Sequence, residues 1–198
     1  VSEVLRGVYR ASDDGLILKR LNKWIDQDEQ RRRRGRPAGF HATGVFEAIR
    51  AAAAFAKSNA RTTDVGDAAR IAICWGPAGC GKSIGAKALA AEDTLSILVR
   101  VDARRGTDSG LARLICEAAG WRTAPRSVTV VEHVLEKLKN TGRLIVIDEG
   151  HRLKTSGCEF IRDLVDVAGV PILILATQEF YDRLTRVRTA AGNMIYDQ

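Results

Sequence analysis

Apolar residues follow two rhythms along the chain. Up to about residue 58 they recur at helical spacing: Val1, Val4, Leu5, Val8 and Tyr9 form one set, and Ile17, Leu18, Leu21, Trp24 and Ile25 another. Residues three and four apart share one face of a helix, so each set predicts an amphipathic helix, with Ala11-Ser12-Asp13-Asp14-Gly15 as the turn between them. A third helix is expected from about Gly44 to Ser58, with Thr43 as its cap. From Arg70 the texture changes. Short apolar runs, Ile71–Trp75, Leu95–Val101, Leu144–Ile147 and Ile172–Ala176, read as strands covered on both faces. Stretches near residues 82–91, 108–119, 127–139 and 157–168 suit helices between them. The alternation predicts an α/β fold in which a parallel sheet is flanked by helices. No internal repeat is present.

Between the two textures lies Arg31-Arg32-Arg33-Arg34-Gly35-Arg36-Pro37-Ala38-Gly39, too charged and too rich in Gly and Pro to continue a helix. The expected organisation is therefore a helical segment over residues 1–30, a basic linker over 31–40 and a core over 41–198. The length of 198 residues supports one domain plus an arm at roughly 150 residues per domain. With 45% hydrophobic and 28% charged residues the composition is that of a globular protein that needs neither disulfides nor metal for stability. The longest apolar runs fall far short of the ~20 residues of a membrane span. The opening Val1-Ser2-Glu3 has neither a signal-peptide pattern nor an initiator Met, so the expectation is a piece of a longer, cytoplasmic protein.

Cys74, Cys80, Cys116 and Cys158 form no CxxC pair, and His41, His133 and His151 are scattered. A zinc site and a secreted disulfide framework are both disfavoured, leaving buried, reduced cysteines as the expectation. Charge adds a further clue. Of the net +7, residues 1–40 carry +4 (10 Lys and Arg against 6 Asp and Glu) and residues 41–198 carry +3 (21 against 18). The uneven excess points toward an acidic polymer as partner.

The segment Gly76-Pro77-Ala78-Gly79-Cys80-Gly81-Lys82-Ser83 fits G-x-x-x-x-G-K-[ST]. It follows an apolar run and opens a helix, as a phosphate-cradling loop must. Glycines let the backbone wrap around phosphate oxygens with successive N–H groups inward, and the helix start adds its positive dipole end. Lys82 is expected to reach the β- and γ-phosphates and the Ser83 hydroxyl to ligate Mg²⁺, with Gly76, Pro77, Ala78, Gly79, Cys80, Gly81 and Ile84 completing the nucleotide contacts. The plainer reading is a Gly-rich turn before a helix. Leu144-Ile145-Val146-Ile147-Asp148-Glu149 is an apolar strand ending in two carboxylates. Asp148 can hold Mg²⁺ opposite Ser83, and Glu149 can act as general base on a water attacking the γ-phosphate; otherwise the pair is a solvated turn. Thr177, at the end of Ile172–Ala176, can hydrogen-bond the γ-phosphate or that water, or can cap the strand with no further role.

These three elements, in this order, resemble the AAA+ ATPases of the additional-strand P-loop class: Gly76–Ser83 as Walker A, Leu144–Glu149 as Walker B, Thr177 as sensor 1. Ile147-Asp148-Glu149-Gly150-His151-Arg152-Leu153, followed by Gly169-Val170-Pro171-Ile172-Leu173-Ile174-Leu175-Ala176-Thr177, looks like one branch of that class. It contains the target-selection and transposase-activator ATPases of the phage Mu-type transposition protein B kind and a general-secretion ATPase; its familiar form has Gly at Ala176. Val1 to Tyr9 resembles the end of a repressor-like helix-turn-helix, and Leu16–Ile25 with Trp24 occupies the place of the helix that follows it in that branch. Against the family pattern, a helical lid with sensor 2 and a last strand are expected to be missing from these 198 residues, and Arg183, Arg186 and Arg188 lie too early for an arginine finger.

The resemblance implies ATP and Mg²⁺ as cofactors, self-association into an ATP-dependent oligomer or filament on double-stranded DNA, and delivery of that DNA to a transposase. Arg31–Arg36 and Arg104-Arg105 are the candidate phosphate contacts, against readings as a solvated linker and a surface loop. No stacking aromatics interleave them, which argues against a single-strand platform. Two other expectations stand beside this one: an AAA+ ATPase acting on a protein partner, as in secretion or helicase loading, and a nucleotide-dependent switch with negligible turnover.

Overall fold

The computed structural model describes residues 43–59, 70–122 and 127–191, with the side chains of 59 and 185–191 outside the description. The expected helices within residues 1–30, the linker over 31–40 with its Arg31–Arg36 cluster, and His41 lie outside the described residues.

The described elements are α1 (Gly44–Asn59), β1 (Ile71–Trp75), α2 (Lys82–Glu92), β2 (Ile97–Arg100), α3 (Asp108–Ala119), α4 (Val130–Leu138), β3 (Ile145–Asp148), a 3-10 turn (Gly150–Arg152), α5 (Thr155–Asp166), β4 (Ile172–Ala176) and α6 (Gln178–Ala191). The four strands form one parallel sheet in the order β1-β4-β3-β2, as the alternating pattern requires. Each crossover carries a helix back over the sheet.

Period-two side chains divide the sheet between two apolar layers. On β4, Leu173 and Leu175 face α1 and α2 together with Phe46, Ile49, Ala53, Ala86 and Leu89. Ile172, Ile174 and Ala176 face the other way, into the larger cluster built from α3, α4 and α5 with Leu111, Ile115, Val134, Leu138, Phe160 and Leu164. All of β3 and β4 is buried.

Caps fix where several helices start. The Phe46 N–H donates to Thr43 Oγ1 at 3.3 Å, the predicted cap of α1. Thr107 receives the Gly110 N–H, and Thr129 forms a reciprocal capping box with Glu132.

Several expectations change. Leu95 is 57% exposed and outside the strand, because pairing begins only where Ile97 meets Ile145. β1 lies at one edge of the sheet among the described residues and is less buried than β3 and β4: Ile71 and Ile73 pack against one apolar layer and Ala72 and Cys74 against the other, while Trp75 is 47% exposed, stacked on Tyr181 with ring centroids 5.0 Å apart. The helices read near 127–139 and 157–168 start at Val130 and Thr155 and end at Leu138 and Asp166. The four cysteines are free, but Cys116 alone is buried; Cys74, Cys80 and Cys158 are half-buried. Burial pushes the thiols of Cys74, Cys116 and Cys158 above the ordinary thiol range. No helix among the described residues is long and apolar enough to cross a membrane.

Candidate functional site

In a parallel sheet the crevice beyond the carboxyl ends of the strands is where a ligand is held. Here that crevice is a cleft of about 450 Å³, lined by Ala78, Gly79, Gly81, Lys82, Ser83 and Ile84 from the loop after β1, by Asp148, Glu149 and His151 from the end of β3, and by Leu175, Ala176 and Thr177 from the end of β4. Residues drawn from three separate parts of the sequence thus meet in one place.

The loop turns because two of its residues adopt left-handed backbone: φ is +81° at Gly79 and +97° at Gly81, where a side chain would be strained. Gly81 is also the residue from which α2 starts, so the unpaired N–H groups of its first turn open on the cleft. The Lys82 ammonium is braced inside the loop. Its Nζ donates to the Gly76 carbonyl at 2.9 Å and the Pro77 carbonyl at 2.7 Å, and lies 3.4 Å from Cys80 Sγ. Gly76, Pro77 and Cys80 are the loop residues on which Lys82 rests, and they do not line the cleft. Ser83 and Ile84 both line it, Ile84 with a 55% exposed side chain.

Asp148 closes β3 with 6% exposure. Its Oδ1 accepts the Glu149 N–H at 2.9 Å, which fixes the carboxylate at the strand tip. Glu149 itself is left-handed, at φ +60°. A non-glycine residue there is strained, and such strain persists only where the surroundings impose it. The following residue has no room for a side chain: a Cβ at Gly150 would sit 2.3 Å from Ile174 Cγ2 and 3.3 Å from the Leu175 carbonyl, so the 3-10 turn is pressed against β4.

Three basic side chains surround the Glu149 carboxylate. Arg100 Nη2 is 3.2 Å from Oε1, while His151 Nε2 and Arg152 Nε are 3.5 Å and 3.7 Å from Oε2. His151 carries a positive charge only when protonated. Arg100 and His151 are the site residues that the sequence reading did not single out. The signal for Arg100 was its place at the end of the second strand; for His151, its place in the turn after the paired carboxylates. Thr177 lies at the end of β4 with a buried Oγ1 that has no hydrogen-bond partner among the described residues, and its carbonyl accepts the Phe180 N–H at 3.1 Å as α6 begins. It therefore caps the next helix with its main chain, while its hydroxyl is buried.

The two loop arginines after β2 have different surroundings. The Arg105 guanidinium bonds Asp102 at 2.7 Å and Glu117 at 2.8 Å, and holds the Asp102 carboxyl below the usual carboxylate range. Arg104 is exposed and engages Asp102 through its backbone N–H. Arg183 donates to the Leu153 carbonyl at 3.0 Å and lies over the Phe180 ring.

The family model described as AAA domain matches residues 65–184, well over half of the chain. No curated protein matches it. The matched region carries all four described strands and every residue that lines the cleft, and on that ground the chain belongs to the AAA domain family of P-loop ATPases.

Proposed function

We propose that the chain is the core of an ATPase that hydrolyses ATP to ADP and phosphate with Mg²⁺, and that it belongs to the transposition protein B branch, binding double-stranded DNA as an ATP-dependent oligomer and presenting it to a transposase. The observation that carries the hydrolytic part is the convergence of Lys82, Ser83, Asp148, Glu149 and Thr177 on one cleft. Lys82 and the loop N–H groups would hold the triphosphate, and the Thr177 hydroxyl has no competing partner among the described residues for a γ-phosphate oxygen or a water. Glu149 would take a proton from water as its oxygen attacks the γ-phosphorus and the bond to the β–γ bridging oxygen breaks, leaving ADP and inorganic phosphate.

The donor set fits a hard dication: a nearly buried carboxylate, Asp148, and a hydroxyl, Ser83, line the same cleft and both offer oxygen. Mg²⁺ held by these two would neutralise charge building on the phosphate oxygens.

Support for the DNA part is electrostatic and comes from the net charge of +7, the Arg31–Arg36 cluster and exposed Arg104. The internal pairing of Arg105 removes one of the two loop cations from that count and favours, to that extent, the reading of an ATPase that acts on a protein partner. Duplex binding by the full-length protein with ATP, ADP and no nucleotide, across a salt series, separates the two. ATP-dependent binding that weakens steeply with salt supports DNA delivery; salt-independent or absent binding beside normal ATP hydrolysis supports the protein partner. Glu149→Gln tests the chemistry. It should keep ATP binding while hydrolysis falls by about 10²–10⁴-fold.

A further inference from the structure

Glu149 is claimed from two directions. Arg100, with a side chain 70% exposed, and Arg152, 41% exposed, approach from outside the cleft and do not line it. His151 lines the cleft, and its Nε2 lies 3.5 Å from Oε2, the same oxygen that Arg152 approaches. Of the three partners it is the one that lines the cleft beside Glu149.

The imidazole is well placed to act as a fixed reference. It sits in a turn closed by the Arg152 N–H on the Glu149 carbonyl and the Leu153 N–H on the Gly150 carbonyl, each at 3.0 Å, and pressed on β4 at Gly150. Its other nitrogen, Nδ1, is buried with no hydrogen-bond partner among the described residues, and the same holds for Thr177 Oγ1 in the same cleft. With Nδ1 unpartnered, Nε2 is the ring nitrogen that meets Glu149. A neutral imidazole donates from one nitrogen and accepts at the other.

We propose that His151 is a positioning residue for Glu149: from a turn fixed against β4 it donates Nε2–H to Oε2, the carboxylate oxygen that Arg152 also approaches. The proposal rests on Glu149 being the base of the reaction proposed above. It concerns how that base is aimed.

The test uses the full-length protein as wild type, His151→Ala, His151→Gln, Glu149→Gln and the Glu149→Gln/His151→Ala double variant, with MgATP affinity and saturated hydrolysis measured for each. Expected for His151→Ala is a turnover about 10- to 100-fold below wild type, the size of effect that misplacing a reacting group produces, with affinity for MgATP retained. His151→Gln, which keeps a donor and an acceptor, should recover part of that loss. The double variant should be no slower than Glu149→Gln alone, because His151 acts through Glu149. Turnover of His151→Ala at the wild-type rate, joint loss of MgATP binding and turnover in both His151 variants, or a further loss in the double variant would each overturn the proposal. Wild-type turnover in Glu149→Gln, or a wild type that does not hydrolyse ATP, would instead overturn the assignment of the base, and the positioning role with it.

Discussion

Nη2 of Arg100 lies 3.2 Å from Oε1 of Glu149, across the tips of β2 and β3, whose last register pair is Arg100 with Asp148. The arginine side chain is 70% exposed, so the pair adds little to stability. Its weight falls on the carboxylate, one of whose two oxygens it engages. Arg100→Ala should leave the thermal midpoint within about 2 °C of wild type and raise ATP turnover severalfold. Hydrolysis assays beside thermal unfolding check this; a drop to the level of Glu149→Gln would mean that Arg100 serves the base rather than restrains it.

Lys82 braces the loop through the carbonyls of Gly76 and Pro77 while its charge faces the cleft. Lys82→Ala removes both at once. A hydrogen bond to a charged group contributes about 1.5–3 kcal/mol, so ATP affinity should fall at least roughly tenfold. Calorimetric titration reads it directly, and unchanged affinity would take this loop out of phosphate binding.

Gly150 has no space for a methyl group against Ile174. Gly150→Ala must push the turn off β4, an overpacking cost of about 1–3 kcal/mol, or a midpoint lower by roughly 2–12 °C. Turnover should suffer more than stability, since Glu149 and His151 flank the displaced residue. Equal activity in the folded variant would show that the turn tolerates movement.

The Thr129 N–H and hydroxyl donate to the Glu132 carboxylate at the start of α4, each at 2.9 Å, and hold its pKa below the ordinary glutamate value. A carboxyl depressed in the folded state stabilises above its unfolded pKa of about 4.3 and loses that contribution as pH falls through the lower folded value. Glu132→Gln should therefore lower the thermal midpoint near neutral pH, and the gap to wild type should shrink below about pH 4. A gap that stays constant down to pH 3 would assign the effect to something other than the charge.

Local pattern carried the sequence reading a long way. Gly76–Ser83, Leu144–Glu149 and Ile172–Thr177 are each short stretches whose meaning lies in their own residues, and the strands and loop they specify are present and adjacent. What was not legible depends on partners far along the chain. Arg100 and Glu149 are 49 residues apart and meet only because β2 pairs with β3. Leu95 and Trp75 are apolar yet exposed, one ahead of the first paired residue and the other on an edge strand. α6 is polar on average, and its sparse apolar positions, Phe180, Leu184 and Val187, are spread among charged residues; Phe180 anchors it in the larger core, and Arg183 ties it to the Leu153 carbonyl.

The stacked rings of Trp75 and Tyr181 place an indole on the last residue before the phosphate loop and a phenol on the helix that follows Thr177. The two ends of the cleft are thereby joined by an optical gauge. Any shift of the loop relative to β4 alters the overlap of these rings, so the emission of this tryptophan should register occupancy of the cleft in unlabelled protein.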